Sequence, residues 1–258
     1  MIRTLLLTVL LLLTASQSFS SGEKIRRPKA RDFGNVVINN YSEANKEFAV
    51  VFPHWIHRAK YSCRLCHVDI GFAMTAGGTG ITEDDNNSGL FCGTCHNNDI
   101  AFGPVIDSKL HGQMNQCDRC HSQGRKVKFQ NNFNEFRKKM PRERFGNGID
   151  WMTAEDQGKM TLIDYLEGVS FPRKKMKRQA DFELTGTVKQ MPTIIFSHEK
   201  HAKWNGCETC HPEIFPVKKG SQPYSMQQIF SGQYCGVCHD KVAFPNIDCQ
   251  RCHVESVN

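Results

Sequence analysis

The residues of this 258-residue chain best suited to chemistry are its 12 cysteines and 11 histidines. Every cysteine falls in a Cys-x-x-Cys pair, and a histidine follows each pair directly. The runs are Cys63-Arg64-Leu65-Cys66-His67, Cys92-Gly93-Thr94-Cys95-His96 and Cys117-Asp118-Arg119-Cys120-His121, then Cys207-Glu208-Thr209-Cys210-His211, Cys235-Gly236-Val237-Cys238-His239 and Cys249-Gln250-Arg251-Cys252-His253. Disulfides require neither this spacing nor the histidine. Zinc ribbons use paired cysteines without it, and thioredoxin-like sites need only one pair. Cys-x-x-Cys-His is the pattern that attaches a c-type haem: both thiols bond to the porphyrin edge, and the histidine falls under the iron as proximal ligand. Six such runs predict six covalently attached haem c groups, each with its iron.

An iron held from one side needs a second ligand or stays open. Five histidines lie outside the motifs: His54, His57, His111, His198 and His201. Four of them sit in two copies of one element, Phe52-Pro53-His54-Trp55-Ile56-His57 and Phe196-Ser197-His198-Glu199-Lys200-His201. Each copy ends six residues before a cysteine, Cys63 or Cys207. Residues three apart on a helix share a face, so such a pair can reach discs on either side.

The elements that must position these groups repeat as well. Ser88 to Gly93 matches Ser231 to Gly236, and Ala101-Phe102 matches Ala243-Phe244. The lead-ins also correspond: Asp32-Phe33, Val36 to Ile38 and Val50 to Phe52 against Asp181-Phe182 and Ile194 to Phe196. These β-branched runs read as short hairpin strands feeding the histidine element. The chain thus divides into a first unit at 32–125 and a second at 181–254, three motifs in each, with a Cys- and His-free strap at 126–180. Within the strap, 132–139 reads as a short amphipathic helix, Thr161 to Asp164 as a capping box and Gly168 as a helix stop, with Phe145 and Trp151 as anchors. Arg173 to Arg178 is a basic run, either a solvated face or a dock for an acidic partner or for haem propionates.

The apolar fraction of 39% includes the cysteines and an apolar leader, which leaves little for a side-chain core. Flat apolar discs would supply what is missing, with short helices, loops and little sheet packed around them. Residues 1–20 read as a cleaved signal peptide: Arg3, the Leu5 to Leu13 run, then small residues up to Ser20. That run is too short to span a bilayer, and no later segment is long enough. The expected location is the periplasm or another exported compartment. The net charge of +7 omits cofactors. About twelve propionates and about six ferric cores bring the oxidised form near neutral, which removes any case for nucleic-acid binding.

Each half resembles a triheme cytochrome c7 domain of the cytochrome c3/c7 superfamily, through its Phe-x-His-x-x-His element and three Cys-x-x-Cys-His motifs. The resemblance implies a multihaem cytochrome fold of two c7-like triheme domains, mostly loops with short helices and short N-terminal β-hairpins. It implies electron transfer between redox proteins at low potential through bis-His haems. It also implies a pairing, His57 with His67, His54 with His96, His201 with His211 and His198 with His239. The third haem of each half departs from the family pattern. His111, six residues before Cys117, can serve the haem of His121. The second half has no counterpart, so the haem of His253 lacks a second histidine. Met226, Met191, an open iron or a ligand from a partner chain remain open there. The expected role is an electron carrier rather than an enzyme. The alternatives are a multihaem reductase working at the His253 haem, or a cytochrome subunit of a larger redox complex, membrane-associated or filamentous.

Overall fold

β-Branched residues favour an extended chain, and the computed structural model pairs them where they cluster. It describes residues 27–108, 112–122, 132–174, 176–184 and 191–254; the leader and His111 lie outside the described residues. Strand β1 (Asn35–Ile38) runs antiparallel to β2 (Val50–Pro53), with Val36 opposite Phe52 and Val37 opposite Val51. A second hairpin, β3 (Val105–Ser108) with β4 (Gly112–Asn115), lies between the second and third motifs. In the other half β5 (Phe182–Leu184) pairs with β6 (Ile194–Phe196), setting Phe182 opposite Phe196.

Strands β2 and β6 each run straight into the histidine element, as the helices His54–Arg58 and His198–Asn205. Pro53 ends the first strand, lacking an N–H for the ladder, and caps the helix in extended backbone at φ −87° and ψ 102°. Ser197 caps the second helix by accepting from the Lys200 N–H at 3.4 Å. Ahead of the second motif in each half stands another short helix, Glu83–Asn87 or Met226–Phe230. Both begin with a reciprocal cap, Thr82 with Asp85 and Ser225 with Gln228.

The side-chain core is small, and it lies where the strap meets both halves. Phe133, Ile149, Trp151, Ala154 and Met160 of the strap pack with Trp55 from one histidine helix and Trp204 from the other. The strap helix forms as expected, at Phe133–Lys138 with Asn132 as its cap. Arg58 ties the halves together at this point. Its guanidinium lies 4.8 Å from both the Trp151 and Trp204 rings and donates to the Val242 carbonyl at 2.6 Å. Trp204 and Lys203 in turn hold Glu155.

Two local expectations for the strap fail. No helix starts at Thr161. Ile163 instead bridges to Tyr61, and Asp164 is taken by Arg64 and Ser62, so the first half claims the would-be cap. Gly168 sits in a turn, with φ +76°, and stops no helix. The anchoring role of Trp151 holds, while Phe145 lies half-buried beneath the guanidinium groups of Arg27 and Arg144. Among the described residues no helix is long and apolar enough to cross a membrane.

Candidate haem-binding site

The ten described histidines share one hydrogen-bond habit: each engages a backbone carbonyl through Nδ1. In the motifs, His67 meets Phe72 at 2.9 Å, His96 meets Phe102 at 2.8 Å, His121 meets Phe48 at 2.7 Å, His211 meets Phe215 at 2.7 Å, His239 meets Phe244 at 3.1 Å and His253 meets Pro192 at 2.8 Å. In the paired elements, His54 meets Gly34 at 2.7 Å, His57 meets Pro53 at 3.4 Å, His198 meets Ala180 at 3.4 Å and His201 meets Ser197 at 2.8 Å. A carbonyl can only accept, so Nδ1 carries the proton and Nε2 keeps its lone pair. Fixing the tautomer and ring orientation in this way is the usual preparation of an imidazole for a metal. The sequence carried no signal for these carbonyls.

Three pairs of rings then face one another. His54 and His67 stand 6.5 Å apart between centroids with planes 9° from parallel. His57 and His96 stand 6.2 Å apart at 55°, and His201 and His239 stand 6.3 Å apart at 56°. Two imidazoles bonded through nitrogen on opposite sides of one metal, at about 2.0 Å each, have centroids about 6.3 Å apart. The geometry therefore suits one iron between each pair. The facing order differs from the pairing implied by the resemblance: His54 faces His67 rather than His96, and His57 faces His96 rather than His67. His201 faces His239 and not His211.

Phe52 and Phe196 set these rings. Phe52 stacks on His57 at 4.3 Å and meets His54 edge-on at 4.8 Å, and Phe196 does the same to His201 at 4.4 Å and His198 at 5.0 Å. One connected cavity of about 2590 Å³ runs past both histidine helices and all the motif cysteines except Cys117 and Cys207. A single small-molecule site is about 300–1,000 Å³, so this space suits several large groups. Burial, above all, lowers the pKa of His54, His57 and His239 to about 4 and also lowers those of His67, His96 and His201. These six are neutral at pH 7, as ligands must be.

The profile of the family "Cytochrome c7 and related cytochrome c" matches residues 50–122 and 194–254, just over half the chain and one triplet of motifs in each match. The chain belongs to this family of multihaem c-type cytochromes. Electron transfer is what the family implies. Among curated proteins none matches. The C-terminal hexahaem fragment of GSU1996 is 23% identical, with 90% of this chain and 100% of that one covered, at a TM-score of 0.27. The dodecahaem cytochrome c GSU1996 is 22% identical, with 86% and 73% covered, at 0.28. Its N-terminal hexahaem fragment is 25% identical, with 86% and 99% covered, at 0.25. With superpositions this loose, membership rests on the sequence match.

The cysteines of the cytochrome fit covalent attachment. No disulfide links them, and among the described residues no three His, Cys, Asp or Glu converge to hold a bare metal ion. Burial, reinforced by neighbouring thiols, pushes Cys66 and Cys238 up to about 12 and Cys92, Cys210 and Cys235 up to about 11. These are neutral thiols in apolar surroundings, which suit a thioether and not an ionic metal bond.

The two halves of the cytochrome repeat one further arrangement that sequence matching recorded without its reason. Phe102 gives its carbonyl to His96, packs its ring on that imidazole at 4.5 Å and carries Arg119 of the third motif over its other side at 3.5 Å. Phe244 does the same for His239 at 4.3 Å and Arg251 at 4.5 Å. The second and third motifs of each half are thus fastened through one phenylalanine. Met191 and Met226 line the cavity along with His253 and are 42% and 37% exposed, which places neither in the side-chain core.

Proposed function

We propose that this c7-type cytochrome is an exported hexahaem electron carrier, built from triheme units at 32–125 and 181–254 that the 126–180 strap clamps together. The observation that carries the reading is the set of facing imidazoles at bis-ligand spacing, each with Nδ1 committed to a carbonyl. On that basis His54 with His67, His57 with His96, and His201 with His239 would each hold one haem iron between them, and the repeat adds His198 with His211. His111 is assigned to the haem of His121 from its place in the sequence. The twelve motif cysteines hold the six haems through thioethers. When bound, these groups supply reversible one-electron chemistry, at low potential where both axial ligands are imidazoles.

The chain's own residues hold the imidazoles neutral, orient them through carbonyls and phenylalanine rings, and surround them with apolar walls. None of them has to form or break a bond during a transfer. Its partners are then redox proteins, either a free donor and acceptor or a membrane redox complex. Mass spectrometry of the mature protein, with a pyridine haemochrome assay, tests the reading. Loss of the leader and six covalent haems, about 3.7 kDa of added porphyrin and iron, is the expected result. Fewer than five haems, or free thiols, would overturn it.

A further inference from the structure

We infer that the two halves exchange electrons across a junction formed by the first haem motif of each half, and that Arg173 is the positioning residue that locks these motifs together. The inference rests on the six-haem reading.

Arg64 lies inside the Cys63–His67 motif, and Asp69 follows that motif by two residues. Glu208 lies inside the Cys207–His211 motif, 144 residues along from Arg64. Arg173, from the end of the strap, reaches both. Its Nε donates to Glu208 at 2.7 Å and its Nη2 donates to Asp69 at 2.5 Å. Arg64 donates to Asp164 at 2.6 Å and stands 3.8 Å from Asp69. The contact between motifs is also direct: a Cβ added to Gly206, the residue before Cys207, would run into the side chain of Arg64. Cys63 of the first motif and Cys210 of the fourth line the same cavity.

Buried charge is a costly way to join two surfaces, and apolar side chains would hold them as well. Here the Asp69 side chain is fully buried and that of Arg173 is 26% exposed, while Glu208, the partner in the second half, is 45% exposed. What the guanidinium provides beyond adhesion is direction. Its planar fork fixes two carboxylates at set angles, so the Cys63–His67 and Cys207–His211 backbones keep one relative placement. Groups attached to them would then keep one relative placement as well. An electron crossing here is lost by one half and gained by the other, with no bond made or broken and no proton required. A cation beside two of the six centres also favours their reduced forms.

The test uses the full holoprotein and two variants, Arg173→Ala and Arg173→Lys. Haem content is counted first; Soret circular dichroism then reports haem–haem coupling, and an NMR-monitored redox titration follows each haem. In Arg173→Ala with six haems, the Soret couplet is expected to fall at least twofold, and the potentials of the two haems at His67 and His211 are expected to drop. Arg173→Lys keeps the charge but not the fork, so its potentials stay near the original while the couplet weakens. An unchanged couplet overturns the junction, and so does a shift spread evenly over all six haems. Should Arg173→Ala fail to mature, Glu208→Leu removes the same acceptor at similar size and is read by the same couplet. A native protein lacking haem at His67 or His211 overturns the six-haem reading together with the junction, whereas six haems and an unaltered couplet overturn the junction alone.

Discussion

His54 faces His67 with ring planes 9° apart, while His57, one helical turn on, faces His96. On the proposed ligation the element serves the first two motifs in chain order, and single substitutions separate this arrangement from the reverse one. His54→Ala is expected to make the haem of His67 high-spin and to leave that of His96 low-spin; His57→Ala is expected to do the opposite. NMR assignment of the shifted haem in each variant is the deciding measurement. A high-spin signal at His96 in His54→Ala would contradict the geometry.

Much of this site is written in local sequence. Cys-x-x-Cys-His names its own chemistry, and the Phe-x-His-x-x-His copies could be aligned by eye. The β-branched lead-ins became β1, β2 and β6, because such runs carry their preference with them. The pairing of His54 was not legible, since a helix offers both histidines to both sides and only the tertiary placement of Cys63 and Cys92 selects between them. The ten carbonyl partners were invisible because any residue has a carbonyl. Thr161 to Asp164 misled for the same reason: a capping pattern is local, and Arg64, 100 residues away from Asp164, outcompeted it.

Gly93 and Gly236 occupy the first variable position of their motifs, and both are needed for space. A Cβ at Gly93 would run into the Asn86 carbonyl, and one at Gly236 into the Ile229 carbonyl. Phe91 and Tyr234, just ahead, already hold φ at +46° and +52°, so the turn has no slack. Gly93→Ala is expected to cost about 3 kcal/mol, the upper end for overpacking, and to yield protein with one haem fewer. Gly89→Ala is the control: φ is +80° but nothing lies within 4 Å, so the cost is about 1 kcal/mol with all haems retained. Intact-mass spectra of both variants decide. Full haem loading and native stability in Gly93→Ala would refute the close approach.

Acid should reveal which histidines are sheltered. Burial holds His54, His57 and His239 at about 4, against an ordinary 6.5. A pKa depressed in the folded state means that protonation favours the unfolded chain. The stability these residues contribute by staying neutral is complete above pH 6.5 and is lost as the pH falls from there through 4. Bonding of Nε2 to iron extends the loss to lower pH still. The low-spin spectrum is therefore expected to hold steady from about pH 8 to about 6.5 and to convert with a midpoint at or below about 4. A midpoint near 6.5 would mean that the rings stand open to water.

The haem of His253 should be the one that differs. Eleven histidines, six of them directly after motifs, leave five for six irons. His253 itself is prepared like the rest: its Nδ1–H donates to the Pro192 carbonyl at 2.8 Å, and a bridge to Ile194 ties it to β6. Its opposite side has no histidine to recruit from this chain once the other five are assigned. Met226 and Met191 line the shared cavity, and Met191 directly precedes Pro192. A thioether favours ferrous iron, so ligation by either would set one potential well above the other five. Met226→Ala, or failing that Met191→Ala, should then turn one haem in six high-spin and bring that potential down. If neither substitution acts, the native protein should already show one high-spin iron that binds carbon monoxide, the property a reductase would need. Six indistinguishable low-spin spectra that neither variant alters would mean that a histidine from another chain completes the site.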